Sequence, residues 1–399
     1  MKSNSTQNLY KRFHSLDSLR GIMMILGIVL HSAIIYSPIN SHEISNVLFL
    51  KDPISSHISN SFIVDFIHSF RMQIFFILSG FFGAFLYYKK SPLQMIKNRI
   101  SRILFPFLIF ETLLGPILNF SENYSIDILN NIQTEFSNFI FEPFIGHFWF
   151  LYYLMIITII FSGFVLVFKR FDHIGNAISK IFEKIITQPF FRIIFFSLFT
   201  VIVYLIMDGL NALMPPKIAS YFMPEPFPSE PRIRLVPNPL MIIFYLSFYM
   251  FGWFLYKSNG YLKYFKSFDW ASFILGFTIF CMYFFYKSSI GYLEFLIIKP
   301  IMTWLFIFGI TGVFIRYFSS YSPKTRYISD SSYWVYLVHM EFCYLIPCLI
   351  FSWNIPSTLK FLIVTTLTSL ICFLSYHYLV RNTFVGKFLN GRKYPRKTI

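Results

Sequence analysis

The chain has 399 residues, of which 56% are hydrophobic and 13% charged, and its formal net charge is +16. A soluble domain carries roughly 25% charged residues, so this composition, with a mean hydropathy of +0.59, excludes an ordinary soluble globule and points to a membrane protein. The positive charge does not indicate nucleic acid, because the basic residues stand in short segments between apolar runs, as cytoplasmic loops do.

Met1–Ser15 is polar, and the first apolar run holds Arg20 and His31 without a small-residue cleavage site, so a cleavable signal peptide is not expected. A bilayer-crossing helix needs about 20 mostly apolar residues. Runs of that kind lie near 16–38, 62–88, 100–120, 146–168, 190–213, 239–256, 270–287, 292–315, 331–353 and 358–380. They predict an all-α, polytopic integral membrane protein of about ten transmembrane helices, read as one domain over 1–399 with tails at 1–15 and 382–399. With the N-terminus in the cytoplasm, the inner segments collect most of the 34 Lys and Arg residues, for example Lys89, Lys90, Lys97, Arg99 and Arg102. Both termini are therefore expected inside. Two long outer segments are expected as loops: 121–145, acidic with no Lys or Arg, and the proline-dense 214–238. Cys281, Cys343, Cys348 and Cys372 all fall in apolar runs without metal spacing; neither a disulfide framework nor a metal site is predicted.

An ionisable side chain at membrane depth is costly and usually faces a cavity or a partner. In the first run Arg20 and His31 are eleven residues apart, which puts them on one helix face about 16 Å apart along the axis. Gly27 lies on the same stripe, and Asp17 stands one turn before Arg20, where it can pair with it. A neutral imidazole in this position can serve as a general base; a buried, hydrogen-bonded histidine is the competing reading. In the second run Asp65, His68 and Arg71 are spaced by three and are expected on one face, with Phe75 and Ser79 continuing the line. Ser79-Gly80 is a candidate helix break. Arg99 and Arg102, one turn apart at the cytoplasmic start of the third run, suit either the phosphates of an anionic ligand or ordinary anchoring. Further along stand Glu111, His147 with Trp149, Asp208, Glu294, Lys299, His339 with Glu341, and His377. For His147 the bland reading, an aromatic belt at the edge of the fourth run, is favoured. For His339, core packing and function compete evenly.

Together, RFHSLDSLRGIMMILGIVLH, FRMQIFFILSGFF, the Arg99/Arg102 pair, RYISDSSYWVYLVHMEF and YLVRNTFVGKFLNGRK resemble acyltransferase family three, the polytopic membrane acyltransferases. The last two segments are similar to its glucan-biosynthesis C branch. The resemblance runs from about 12 to 393, and over 120–330 it rests on span pattern alone. It implies transfer of an acyl group, acetyl or succinyl, from cytosolic acyl-CoA to a carbohydrate hydroxyl on a periplasmic or cell-surface glycan, at the bacterial inner membrane. Acyl-CoA is then a donor substrate, with no cofactor bound. The family's essential His and Arg fall on His31 and Arg20. Its Phe-Phe-x-x-Ser-Gly element falls on Phe75, Phe76, Ser79 and Gly80, and its Arg-x-x-Arg on Arg99 and Arg102. Acyl transfer needs a base, donors for a developing oxyanion and a cationic site for the CoA phosphates. His31 is the expected base, and Arg20, Arg99 and Arg102 are expected to hold the donor. Asp65, His68, Arg71 and His339 are candidates for the acceptor side. A transporter or flippase of an anionic or sugar-linked solute also uses intramembrane charges and is the competing class.

Overall fold

The computed structural model describes residues 13–38, 51–52, 54–129, 146–167, 172–214, 237–391 and 393–394, and every regular element among them is a helix. A bilayer offers the backbone no water to bond, so a long apolar segment satisfies its N–H and C=O groups internally by coiling into a helix. Ten helical stretches are long and apolar enough to cross a membrane, and the chain is a polytopic membrane protein.

The first two spans are α1 (His14–Ile35) and the pair α2 (Ile58–His68) and α3 (Arg71–Lys89). The third is built from α4 (Pro92–Arg99), a π-helical turn (Ile100–Leu104) and α5 (Phe105–Leu129). Then come α6 (Trp149–Val167), α7 (Asp172–Thr187), α8 (Pro189–Leu213) and α9 (Pro239–Lys257). The C-terminal part is α10 (Asp269–Tyr286), α11 (Tyr292–Tyr317), α12 (Pro323–Ile350), α13 (Ser357–Ser375) and the short α14 (Phe384–Asn390). Four of these helices, α4, α8, α9 and α12, open on a proline, which suits a first-turn position whose N–H has no intrahelical partner. Ser91 and Asn238 cap α4 and α9 by accepting from the backbone N–H groups of Gln94 and Leu240.

The spans divide into an inner and an outer set. In their most apolar windows, the second span and α11 are 78% buried, whereas the third span is 22% buried. The inner helices carry Arg71, Lys299, His339 and Glu341, all buried. The outer ones present Phe, Leu and Ile, such as Phe190, Ile194 and Leu198 of α8, where lipid would be. This is the division the cost of intramembrane charge demands.

Four features differ from the sequence expectations. The second span breaks at Ser69-Phe70, not at Ser79-Gly80, and the freed carbonyl of Ser69 accepts from Thr303 Oγ1 of α11 at 3.1 Å. Gly80 instead lets two helices touch. A Cβ there would collide with the Tyr249 carbonyl of α9, and a Cβ on Gly252 would collide with the Ile77 carbonyl of α3. The third span runs on to Leu129, and the segment after the fourth contains a further helix, α7. Its Phe182, Ile185 and Ile186 are buried while Ile178 and Ile181 stay exposed. Of the two expected outer loops, 130–145 and 215–236 lie outside the described residues.

Candidate active site

Two neighbouring helices place the central groups. Gly21 of α1 lets the backbone of Ser329 in α12 approach, since a Cβ there would stand 3.0 Å from the Ser329 Cα. Farther along the same seam Ser32 Oγ lies 3.7 Å from Cys343 Sγ. Between these points the rings of His31 and His339 face each other with centroids 5.4 Å apart. His31 and His339 are buried. Gly27, one turn before His31, leaves the space that two other groups fill. A Cβ on it would lie 3.2 Å from Arg71 Nη1 and 3.4 Å from His339 Nε2. Arg71 thus enters at the first turn of α3, directly after the break, and points at α1. Its neighbours Asp65 and His68 belong to α2, and Asp65 pairs with Lys287 at 2.8 Å. The three do not form one continuous helical stripe, because the break redirects the chain between His68 and Arg71.

His147 completes the cluster. It sits in a 3-10 turn just before α6, its ring centroid 5.4 Å from that of His339, and it is buried. The Tyr336 carbonyl accepts from both rings, from His339 Nδ1 at 2.9 Å and from His147 Nε2 at 3.2 Å. A carbonyl can only accept, so these nitrogens carry the protons and the opposite ones, His339 Nε2 and His147 Nδ1, present lone pairs. Neither of those two atoms has a hydrogen-bond partner among the described residues. Tyr336 closes the bracket by donating its hydroxyl to the His147 carbonyl at 2.7 Å. The sequence reading assigned His147 to an aromatic belt. Only its pairing with Tyr336, 189 residues away, shows the role, and no local signal could have done so.

Below this cluster, toward the end where α1 begins, lies a cavity of about 340 Å³. Arg20, Arg99 and Arg102 line its mouth, and Ser79, Phe75 and Phe150 line it deeper in. That volume is at the lower end of the range for small-molecule sites. Its wall approaches the histidine cluster to within a helical turn: Phe75 follows Arg71 by four residues, and Met24 precedes Gly27 by three. Arg99 donates to the Ser79 carbonyl at 2.9 Å, and Arg102 to the Phe388 carbonyl at 3.0 Å. The π turn that carries Arg102 adds a residue to the helical ladder, a distortion frequent at functional sites. Each guanidinium has five N–H groups, so one carbonyl leaves donors over. Arg20 pairs with Asp17 at 3.2 Å and lies over the Phe82 ring at 5.3 Å.

The other two members of the Phe-Phe-x-x-Ser-Gly element face away from the cavity. Phe76 stacks on Tyr245 with centroids 4.3 Å apart, and Gly80 packs on α9. Sequence spacing does not separate the two faces of α3, because apolar residues cover both. Tyr333, Ser332 and Asn390 also line the cavity, and the sequence reading did not select them.

An acyltransferase domain family matches residues 13–377 of the chain. Among curated proteins, "Glucans biosynthesis protein C" of Escherichia coli O6:K15:H31 is 31% identical over 176 residues, 40% of this chain and 40% of that protein. The protein of the same name from Shigella dysenteriae serotype 1 is likewise 31% identical over 176 residues, and that of Escherichia coli K12 is 31% identical over 173. The match therefore spans about two fifths of these relatives. No solved structure matches. A bundle of ten apolar spans around buried histidines, matched over nearly its whole length by one domain family, belongs to that family: the chain is a member of acyltransferase family three.

Proposed function

We propose that the protein is an O-acyltransferase of the bacterial inner membrane, with both termini in the cytoplasm, that moves an acetyl or succinyl group from cytosolic acyl-CoA to a carbohydrate hydroxyl of a periplasmic or cell-surface glycan. The observation that carries this reading is the closeness of two parts: an arginine-lined cavity opens at one end, and a buried cluster of His31, His339 and Arg71 follows one turn deeper.

The chemistry follows from these positions. The CoA phosphates sit against Arg20, Arg99 and Arg102, whose guanidinium forks suit phosphate, and the acylated arm reaches past Phe75 toward Gly27. His31 accepts the proton of the acceptor hydroxyl, and the oxygen attacks the thioester carbonyl. Negative charge then builds on the carbonyl oxygen, where a guanidinium such as Arg71 stabilises it. As the C–S bond breaks, the proton held by His31 passes to the departing thiolate, so the cycle ends with ester and free CoA thiol. His339 Nε2, its lone pair kept open by the Nδ1–H bond to Tyr336, accepts a hydrogen bond from a neighbouring hydroxyl of the acceptor sugar and orients the ring.

The direct test feeds labelled acyl-CoA to the purified protein with envelope glycans and measures labelled ester. The expected result is transfer by wild type and at least about 10²-fold less by His31→Ala, with donor binding equal in both. Equal transfer by the two proteins would sink the assignment of the base, and movement of intact solute without ester formation would favour transport.

A further inference from the structure

A second polar-lined cavity lies at the opposite end of the bundle, where α8 ends and α10 and α11 meet. Its volume is about 390 Å³. Three tyrosines, Tyr204, Tyr283 and Tyr292, line it together with Asp208 and Lys287. The rings are held from behind: Tyr204 stacks on Phe244 with centroids 5.5 Å apart, and Lys299 Nζ rests 4.0 Å from the centre of Tyr283. The charges are paired. Tyr292 donates its hydroxyl to Asp208, and Lys287 Nζ lies 2.8 Å from Asp65 Oδ2.

Such a lining discriminates by chemistry. An anion meets a lysine whose charge Asp65 already answers. A lipid chain meets hydroxyls and a carboxylate. An uncharged sugar ring fits both halves, since its C–H faces lie flat on tyrosine and its hydroxyls find a carboxylate and an ammonium. The cavity is tied through Lys287 to the span that carries Arg71. The Lys287 partner Asp65 is followed by His68 and Arg71, and Arg71 is the group beside Gly27. Asp65 and Arg71 stand on either side of the Ser69-Phe70 break, so both sites border the second span.

We propose that this cavity is a docking subsite for an uncharged pyranose residue of the acceptor, remote from the hydroxyl that is acylated. The proposal rests on the glycan-acylation reading above. The cavity holds the chain in register while Arg71, His339 and His31 act on a neighbouring sugar.

The test is calorimetric titration of the detergent-purified full chain with short linear gluco-oligosaccharides, alongside labelled-ester formation. Wild type should bind saturably. Tyr283→Ala and Asp208→Asn should each weaken binding about tenfold, which is about 1.4 kcal/mol, and raise the acceptor KM with kcat retained. Tyr283→Phe keeps the ring and should bind within about twofold of wild type, and His31→Ala should bind normally. Thermal melting of each variant separates lost folding from lost binding. The proposal is overturned if wild type binds none of the oligosaccharides, if the two variants bind as wild type does, or if phosphocholine alone binds in a Tyr283-dependent way while the sugars do not. Binding that depends on Tyr283 without any ester formed leaves the subsite standing and removes the acyltransferase reading. Ester formation with an unchanged KM in Tyr283→Ala does the reverse.

Discussion

At one end of the bundle Arg99 and Arg102 give hydrogen bonds to backbone carbonyls, and among the described residues neither has a carboxylate within ion-pair distance. At the other end Lys287 and Lys360 each lie 2.8 Å from an aspartate, Asp65 and Asp52. Arg99 and Arg102 thus leave their positive charge facing a cavity, whereas that of Lys287 and Lys360 is cancelled. A carbonyl bond orients a guanidinium without neutralising it, whereas a carboxylate does both. The first arrangement suits a phosphate-bearing donor, and the second suits a neutral acceptor or a purely structural clasp. Net charge per segment, the quantity read from sequence, does not distinguish them.

This contrast can be broken at several points. The largest effect is expected between the two ends, at the reaction centre. His31→Ala should lower ester formation by about 10²–10⁴-fold, the usual worth of a positioned acid–base group, while donor and oligosaccharide titrations stay unchanged; loss of both affinities would mean the residue is only structural. Next comes the clasp. Lys360 and Asp52 are both buried, and Lys360→Met, which strands the aspartate, should cost about 3–5 kcal/mol of stability. Adding Asp52→Asn should return most of it, and a double variant as unstable as the single one would contradict the pairing argument. At the donor end, Arg99→Ala and Arg102→Ala should each remove about 1.5–3 kcal/mol of donor binding, read as a raised acyl-CoA KM that loses its salt dependence. An unchanged KM in the double variant would move the phosphate site elsewhere. Gly80→Ala should cost about 1–3 kcal/mol by forcing α3 off α9, seen as a lower melting temperature with the donor KM little altered. Smallest is Asp65→Asn. Lys287 is well exposed, its side chain at 38%, so the pair should add no more than about 1 kcal/mol to stability. A loss as large as that of Lys360→Met would show that this end is clasped throughout.

The number of spans and the identity of the intramembrane polar residues were legible because each depends on a single stretch of chain. Twenty apolar residues announce a helix wherever they stand, and Arg20 and His31 stand out against them. The common face of Arg20 and His31 also follows from helical spacing. The break at Ser69-Phe70 carried no such mark, having neither proline nor glycine at the break itself. It is held open by Thr303, more than two hundred residues away. The same holds for Phe75 and Phe76, adjacent in sequence and sent to opposite duties, one to the cavity and one to the stack with Tyr245.

By itself, then, the sequence determined that this is an all-helical membrane protein and which side chains are too costly to bury without a purpose, since hydropathy and helical period are local properties. The tertiary structure alone decided that His31, His147 and His339 form one buried cluster, that the Tyr336 carbonyl sets the protons on two of them, and which basic residues meet a carboxylate. Those outcomes depend on contacts between segments far apart in the chain, where packing, not spacing, chooses the partner.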